Sequence, residues 1–424
     1  MVASQTSAPV PEHTRPTPAG PRFQAMNGLR LLSAVLIVVF HAASAGAGTG
    51  LDRDGGLGPL FSLLDLGVPV FFVLSGFLLY RPMVAARLTG APRKSVGRYA
   101  WHRFRRILPA YWVVLGVAAL LGQAELGTGW QPWRIAGLLQ IYDSVAIAFG
   151  LGLVVAWSLC TEVSFYAYLP LHDRIMRLSR GVPGKRVVDE WIACAVLAAV
   201  AIGFKVWLYG DPQRVLGFGV LLRFFDAFAV GMALAVLSVA EQERRRPGRL
   251  FTLLGKLGGL PWIAAAGLVL VLSWYQFPPF PEPVSTVEGT LRDLAKVVVA
   301  ALLVMPLVAD REGTSPLGRA LSRPPVQWWG ELSYGIFLIH LPLMAWLQQE
   351  HLQLGDELLP TLWLAVVTLA ASSVLAAVLY LVVERPLQHL DPSRGPSAPR
   401  GRQRRRPAPA AREATATMPA GAGS

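Results

Sequence analysis

Arg30 and His41 are the first two residues of the sequence whose types and spacing could serve one reaction. Histidine takes up and releases a proton near pH 7, and arginine grips phosphate or carboxylate oxygens with a two-pronged fork. Eleven positions separate them, on a helix a rise of roughly 16 Å and a rotation within about 20° of three full turns. Both side chains therefore face the same way at different depths. Singly, Arg30 reads equally well as a topology anchor and His41 as a packed histidine. Their shared face turns the balance towards function.

Other side chains able to do chemistry lie further on. Ser75 and Gly76 end a bulky apolar run at a point where another helix can approach closely. On a helix Arg98, His102, Arg105 and Arg106 share a face, and Arg103 and Arg106 stand at i and i+3. That density of arginine suits a phosphorylated ligand at the cytoplasmic surface, with anionic lipid as the equal alternative. Trp157, Glu162 and Tyr166 fall in a later apolar run, where a carboxylate needs a proton or a partner. Tyr334 and His340 bring a second buried histidine. The i,i+3 couples Arg223 with Asp226 and Asp293 with Lys296 read as structural pairs that neutralise each other. His13, His102, His172, His351 and His389 lie outside the apolar runs or, for His172, at the very end of one, and carry no such argument. No histidine pair stands at ligand spacing with carboxylates, and Cys160 and Cys194 form no CxxC, so no metal is expected.

The elements that must position these residues are membrane helices. Only 15% of the residues are charged, against about 25% in a soluble chain. About ten mostly apolar stretches, at 31–45, 59–80, 106–122, 154–172, 191–209, 217–239, 261–276, 291–309, 331–347 and 359–383, are each long enough for a hydrocarbon core of about 30 Å. The reading is an all-α polytopic membrane protein of about ten transmembrane helices, both termini cytoplasmic, with 133–150 as a re-entrant or surface segment. The first run reads as an uncleaved span, because its lead is long and sparsely basic. Residues 1–26 and 387–424 are rich in Pro and Ala and read as disordered cytoplasmic segments, which leaves 27–386 as the membrane domain.

A net charge of +13 invites a nucleic-acid reading, but its placement excludes one. Of the 39 lysines and arginines, 32 fall on the side assigned to the cytoplasm and three in external loops, the asymmetry of a membrane topology. The basic tail reads as a solvated segment near anionic headgroups.

Five blocks occur in order: Asn27-Gly28-Leu29-Arg30 with His41, Phe71-Phe72-Val73-Leu74-Ser75-Gly76-Phe77, Arg103 with Arg106, Trp157-Ser158-Leu159-Cys160-Thr161-Glu162 with Tyr166, and Ser333-Tyr334 with His340. Together with a closing Glu384-Arg385-Pro386 they resemble acyltransferase family 3 of integral membrane proteins. The resemblance implies transfer of an acyl group, often acetyl, from cytoplasmic acyl-CoA to a hydroxyl of an envelope glycan, lipid-linked sugar or secreted metabolite, at the cytoplasmic membrane. It makes His41 the essential residue, and Arg30 and Glu162 are expected to act beside it. Arg30, Arg98, Arg103 and Arg106 are expected on the CoA side, with Ser75, Trp157, Tyr166, Tyr334 and His340 in support. Many family members have an acidic residue where this chain has Pro69, so no role of that carboxylate carries over. With no trailing hydrolase-like domain, the chain is expected to act alone or to pass the acyl group to another protein.

The chemistry fits these residue types. A neutral histidine can take the proton of an attacking hydroxyl or accept the acyl group itself, and both routes stay open. Acetyl-CoA is the expected donor, its phosphates held by the arginines while the thioester arm reaches inward. Two other classes compete. A glycolipid transporter or flippase suits many spans, but transporters often show paired halves, which are not evident here. A polyprenyl-phosphate-dependent glycosyltransferase could use Asp52 and Asp54, which a solvated turn explains as well.

Overall fold

The computed structural model describes residues 23–44, 57–93, 95–143, 150–178, 183–211, 214, 219–242, 248, 252–253, 256–275, 284–310, 313–350 and 358–389. Asp52 and Asp54, both predicted terminal segments except residues 23–26 and 387–389, and the side chain of His389 lie outside these. Among the described residues every regular element is helical. Ten helices of fifteen residues or more occur there: α1 (Ala25–Ser44), α2 (Gly67–Leu88), α3 (Val96–Leu120), α4 (Ala156–Leu178), α5 (Pro183–Tyr209), α6 (Leu221–Gln242), α7 (Leu260–Trp274), α8 (Thr286–Ala309), α9 (Pro324–Glu350) and α10 (Leu358–Leu379). Each overlaps one of the ten apolar runs. Six of them, α1, α2, α5, α6, α9 and α10, are long and apolar enough to cross a membrane. Helix α7 is shorter, and α3, α4 and α8 carry charged side chains within their apolar lengths.

The second run falls within one candidate span, Gly58–Leu88, but apolarity alone does not show the joint inside it. The stretch 59–80 reads as one span, but the chain forms a short helix Gly58–Phe61 and a 3-10 turn Leu64–Leu66 before α2 begins at Gly67. Phe61, Leu63 and Leu66 are buried, so apart from Asp65 the turns are as apolar as a helix and hydropathy runs through them. Pro69 lies in the first turn of α2, where a missing N–H is tolerated. The segment 133–150 supplies a short helix Gln131–Ala136 and a 3-10 turn Gln140–Tyr142. It is tied to α3 by Tyr111, whose hydroxyl donates to the Ile135 carbonyl at 2.8 Å.

Small residues set the closest packing. A Cβ added at Gly76 of α2 would lie 2.3 Å from the Phe228 carbonyl oxygen of α6, and one at Gly231 of α6 would lie 2.0 Å from that of Val73. The two backbones touch, which is the approach expected at Ser75-Gly76. Apolar stripes such as Ile192, Val196 and Val200 on α5 and Val366, Val374 and Val378 on α10 remain exposed, the surface a lipid phase would cover. Several apolar helices of this kind make a multi-pass membrane protein.

Two expectations are corrected by the packing. The charges on α6 and α8 find partners on other elements. Asp226 meets Lys205 of α5, Arg223 meets Asp293 of α8 at 2.9 Å, and Lys296 meets Asp65 of the 3-10 turn at 2.6 Å. Side chains that leave a helix sideways reach the neighbouring helix, and sequence spacing cannot show which neighbour that is. His172 is not outside the packed helices either. Helix α4 runs on to Leu178 and buries it, with Nε2 2.9 Å from the Tyr80 hydroxyl and Nδ1 3.0 Å from that of Tyr168.

Candidate active site

Helices α1, α2, α3, α4 and α9 surround a cavity of about 330 Å³. Arg30 enters it from the early turns of α1 and Arg103 and Arg106 from those of α3; Ser75 comes from α2, Glu162 and Tyr166 from α4, and Tyr334 from α9. Asn27, Phe71 and Phe337 complete the part of the wall that matters chemically. Five elements distant in sequence thus bring together seven of the residues singled out from the sequence.

Glu162 is the hub of the polar wall. Its Oε1 accepts hydrogen bonds from Ser75 Oγ and from the Tyr166 hydroxyl, each at 2.6 Å. Arg103 stacks over the Tyr166 ring with its guanidinium carbon 5.7 Å from the ring centre. Among the described residues its buried Nε has no hydrogen-bond partner. Among the described residues neither Arg30, Arg103 nor Arg106 forms an ion pair within 4 Å. Three guanidinium groups around one cavity, one with an orphaned donor, fit an anion with several oxygens.

Beyond the cavity wall stand the two histidines. Along α9 the lining runs through Ser333, Tyr334 and Phe337, and His340 follows one turn further. His340 Nδ1 lies 2.8 Å from the Phe337 carbonyl oxygen. A carbonyl only accepts, so that nitrogen of a neutral ring carries the proton. His340 Nε2 is then an acceptor, and it faces His41 Nδ1 at 3.1 Å. His41 Nδ1 also lies 3.0 Å from the Ile37 carbonyl, and both neighbours require it to donate. His41 therefore keeps its proton on Nδ1 and presents Nε2 as the basic nitrogen. Phe71 and Phe337, both of the cavity wall, pack with ring centres 6.2 Å apart, and the Phe337 ring centre lies 5.9 Å from that of His340.

The sequence expectations separate here. Arg30, Ser75, Arg103, Arg106, Glu162, Tyr166 and Tyr334 line the cavity, although the Tyr334 hydroxyl is engaged by the Ile107 carbonyl at 2.8 Å. His41 and His340 meet each other rather than the cavity wall. Arg98 is exposed and absent from the wall. Trp157 packs on Phe224 with ring centres 5.7 Å apart, outside the wall. Arg105, expected to share a face with Arg106, turns away and donates to the Leu387 carbonyl at 2.8 Å. Asn27, Phe71 and Phe337 were missed as site residues, although each sits within a few residues of one that was found. Among the described residues no three His, Cys, Asp or Glu side chains converge as metal ligands.

Comparison with known proteins gives the family. The chain is 25% identical over 386 residues to "Peptidoglycan O-acetyltransferase OatA" of Listeria monocytogenes, covering 86% of this chain and 55% of that one. It spans about half the length of that relative. It is 26% identical to "Acyltransferase MdmB" of Streptomyces mycarofaciens, over 89% of this chain and 94% of that one, and 24% identical to "Nodulation protein 10" of Rhizobium leguminosarum bv. viciae, over 85% and 92%. No solved structure matches it. The profile of the acyltransferase domain family covers residues 23–382, from before Asn27 almost to Glu384, and the chain belongs to that family, acyltransferase family 3.

Proposed function

We propose that this protein is a membrane O-acyltransferase that moves an acyl group, acetyl in the first instance, from cytoplasmic acyl-CoA to a hydroxyl of a carbohydrate. The observation that supports the proposal is a cavity lined by three arginines that form no ion pair among the described residues, with the His41–His340 contact one helical turn beyond the lining residue Phe337. The phosphates of CoA would rest on Arg103, Arg106 and Arg30 while the thioester arm passes Phe71 and Phe337. His41 Nε2 takes the acceptor proton as the hydroxyl oxygen attacks the thioester carbonyl. The carbon–sulfur bond breaks, and the CoA thiolate leaves with the proton that His41 returns. His340 holds His41 in the tautomer this requires. The Ser75–Glu162–Tyr166 group fixes the wall against which the donor lies.

A peptidoglycan hydroxyl is one acceptor class, suggested by the name of the Listeria relative; a secreted glycoside is another. The topology that goes with this reading has ten crossings and cytoplasmic termini in the cell membrane. Reporter fusions after Gly50 and Gly355 should then read outside, and fusions after Gly90 and Ser424 inside; a reversal would put the arginines on the wrong side for CoA. The activity itself is tested with purified protein, acetyl-CoA and peptidoglycan fragments or glycosides, following free thiol and acetylated product together. Stoichiometric release of both supports the proposal. Movement of a glycolipid without any thiol release would make the chain a transporter.

A further inference from the structure

A second cavity, of about 300 Å³, lies between the C-terminal ends of α2 and α4 and the first turns of α5, and shares no wall residue with the first. Arg87, Arg93, Arg177 and Arg186 line it, together with Asp189 and Glu190. Behind them Asp173 pairs with Arg87 and Arg177 and is met by Arg93 at 3.5 Å. Arg87 also holds Glu190 at 2.7 Å, and the Tyr80 hydroxyl donates to the other Glu190 oxygen.

The donors outnumber what these carboxylates accept. Among the described residues Arg87 Nη2 and Arg177 Nε are buried with no hydrogen-bond partner, and the Arg87 side chain is only 9% exposed. Buried guanidinium N–H groups are costly to leave unmade. Both belong to residues of the cavity wall, where Arg87, Arg93 and Arg177 share the carboxylates of Asp173 and Glu190. A compact anion with more than two acceptor oxygens answers that arrangement, because it meets several forks at once. We propose that this cavity binds a phosphate group. The same chemistry is offered by a soluble phosphate and by the headgroup of an anionic phospholipid, since the cavity lies at the ends of membrane helices.

The test uses full-length protein carrying Arg103→Gln and Arg106→Gln, so that two of the three arginines of the first cavity no longer contribute. Its thermal unfolding is followed in detergent with inorganic phosphate or pyrophosphate, against sodium chloride of equal ionic strength. A parallel arm compares nanodiscs of phosphatidylglycerol with nanodiscs of phosphatidylcholine. Arg93→Gln and Arg177→Gln are added separately; Arg93 is half-exposed and remains readable if the Arg177 variant does not fold. The expected result is a saturable stabilisation in one arm, weakened at least tenfold by Arg93→Gln. The arm that responds identifies the source as soluble phosphate or lipid headgroup. No saturable stabilisation in either arm, or the same midpoint with and without Arg93→Gln, would overturn the proposal.

Discussion

Two sets of buried charges in this protein are treated in opposite ways. Around α5, α6 and α8, Lys205, Arg223 and Lys296 each meet an aspartate carried by a different element. Around the first cavity, Arg30, Arg103 and Arg106 line open space and find no ion-pair partner among the described residues. Charge inside a helical bundle is expensive, and pairing removes most of that expense. The first set therefore reads as bracing between helices. The second retains its cost, which is what a site for an anionic substrate must do. The difference teaches that, in this fold, the charges worth following are the ones left without partners.

The comparison breaks most visibly if one brace is cut. Asp226→Ala leaves Lys205, 1% exposed, uncompensated, and should destabilise the protein by about 3–5 kcal/mol. The loss would appear as a smaller monodisperse fraction on size-exclusion chromatography, and Lys205→Met combined with Asp226→Leu should recover most of it. Cutting at the cavity should do the reverse. Arg103→Ala or Arg106→Ala should leave assembly intact and weaken CoA binding by about 1.5–3 kcal/mol each, the worth of a charge-assisted contact. Comparing CoA with dephospho-CoA and pantetheine checks this. Binding of all three by the variants as tightly as by the unsubstituted protein would make these arginines topology or lipid determinants. Ser75→Ala removes one of two hydrogen bonds to Glu162 and should cost about 0.5–1.5 kcal/mol in donor binding, read from the same titration. Arg98→Ala sharpens the contrast at the small end. Arg98 is exposed and off the cavity wall, so binding should change by less than about 0.5 kcal/mol.

Much of this was legible from the residues alone. The apolar runs locate ten long helices because burial and lipid both demand apolar side chains, and Arg30 and His41 share a face because α1 is uninterrupted from Ala25 to Ser44. What was illegible is lateral. Helical spacing groups Arg98, His102, Arg105 and Arg106, but it cannot say that Arg105 turns to the Leu387 carbonyl while Arg103 and Arg106 turn inward. It offers Arg223 with Asp226 because they are close in sequence, whereas the packed bundle gives each a stronger partner on another helix. The break at 62–66 escapes for a third reason, since buried turns need not be polar. The meeting of His41 with His340, 299 positions apart, has no local signal beyond each histidine's presence in an apolar run.

The central claim is that His41, held by His340, takes the acceptor proton during acyl transfer. The most direct test is the rate of acetyl transfer from acetyl-CoA by His41→Gln, with folding and CoA binding measured on the same preparation. Glutamine keeps a similar size and hydrogen-bonding capacity but takes no proton near neutral pH. The account predicts normal assembly, CoA binding within about twofold of the unsubstituted protein, and transfer reduced on the order of 10²–10⁴-fold. Near-normal transfer by a folded His41→Gln protein would contradict it.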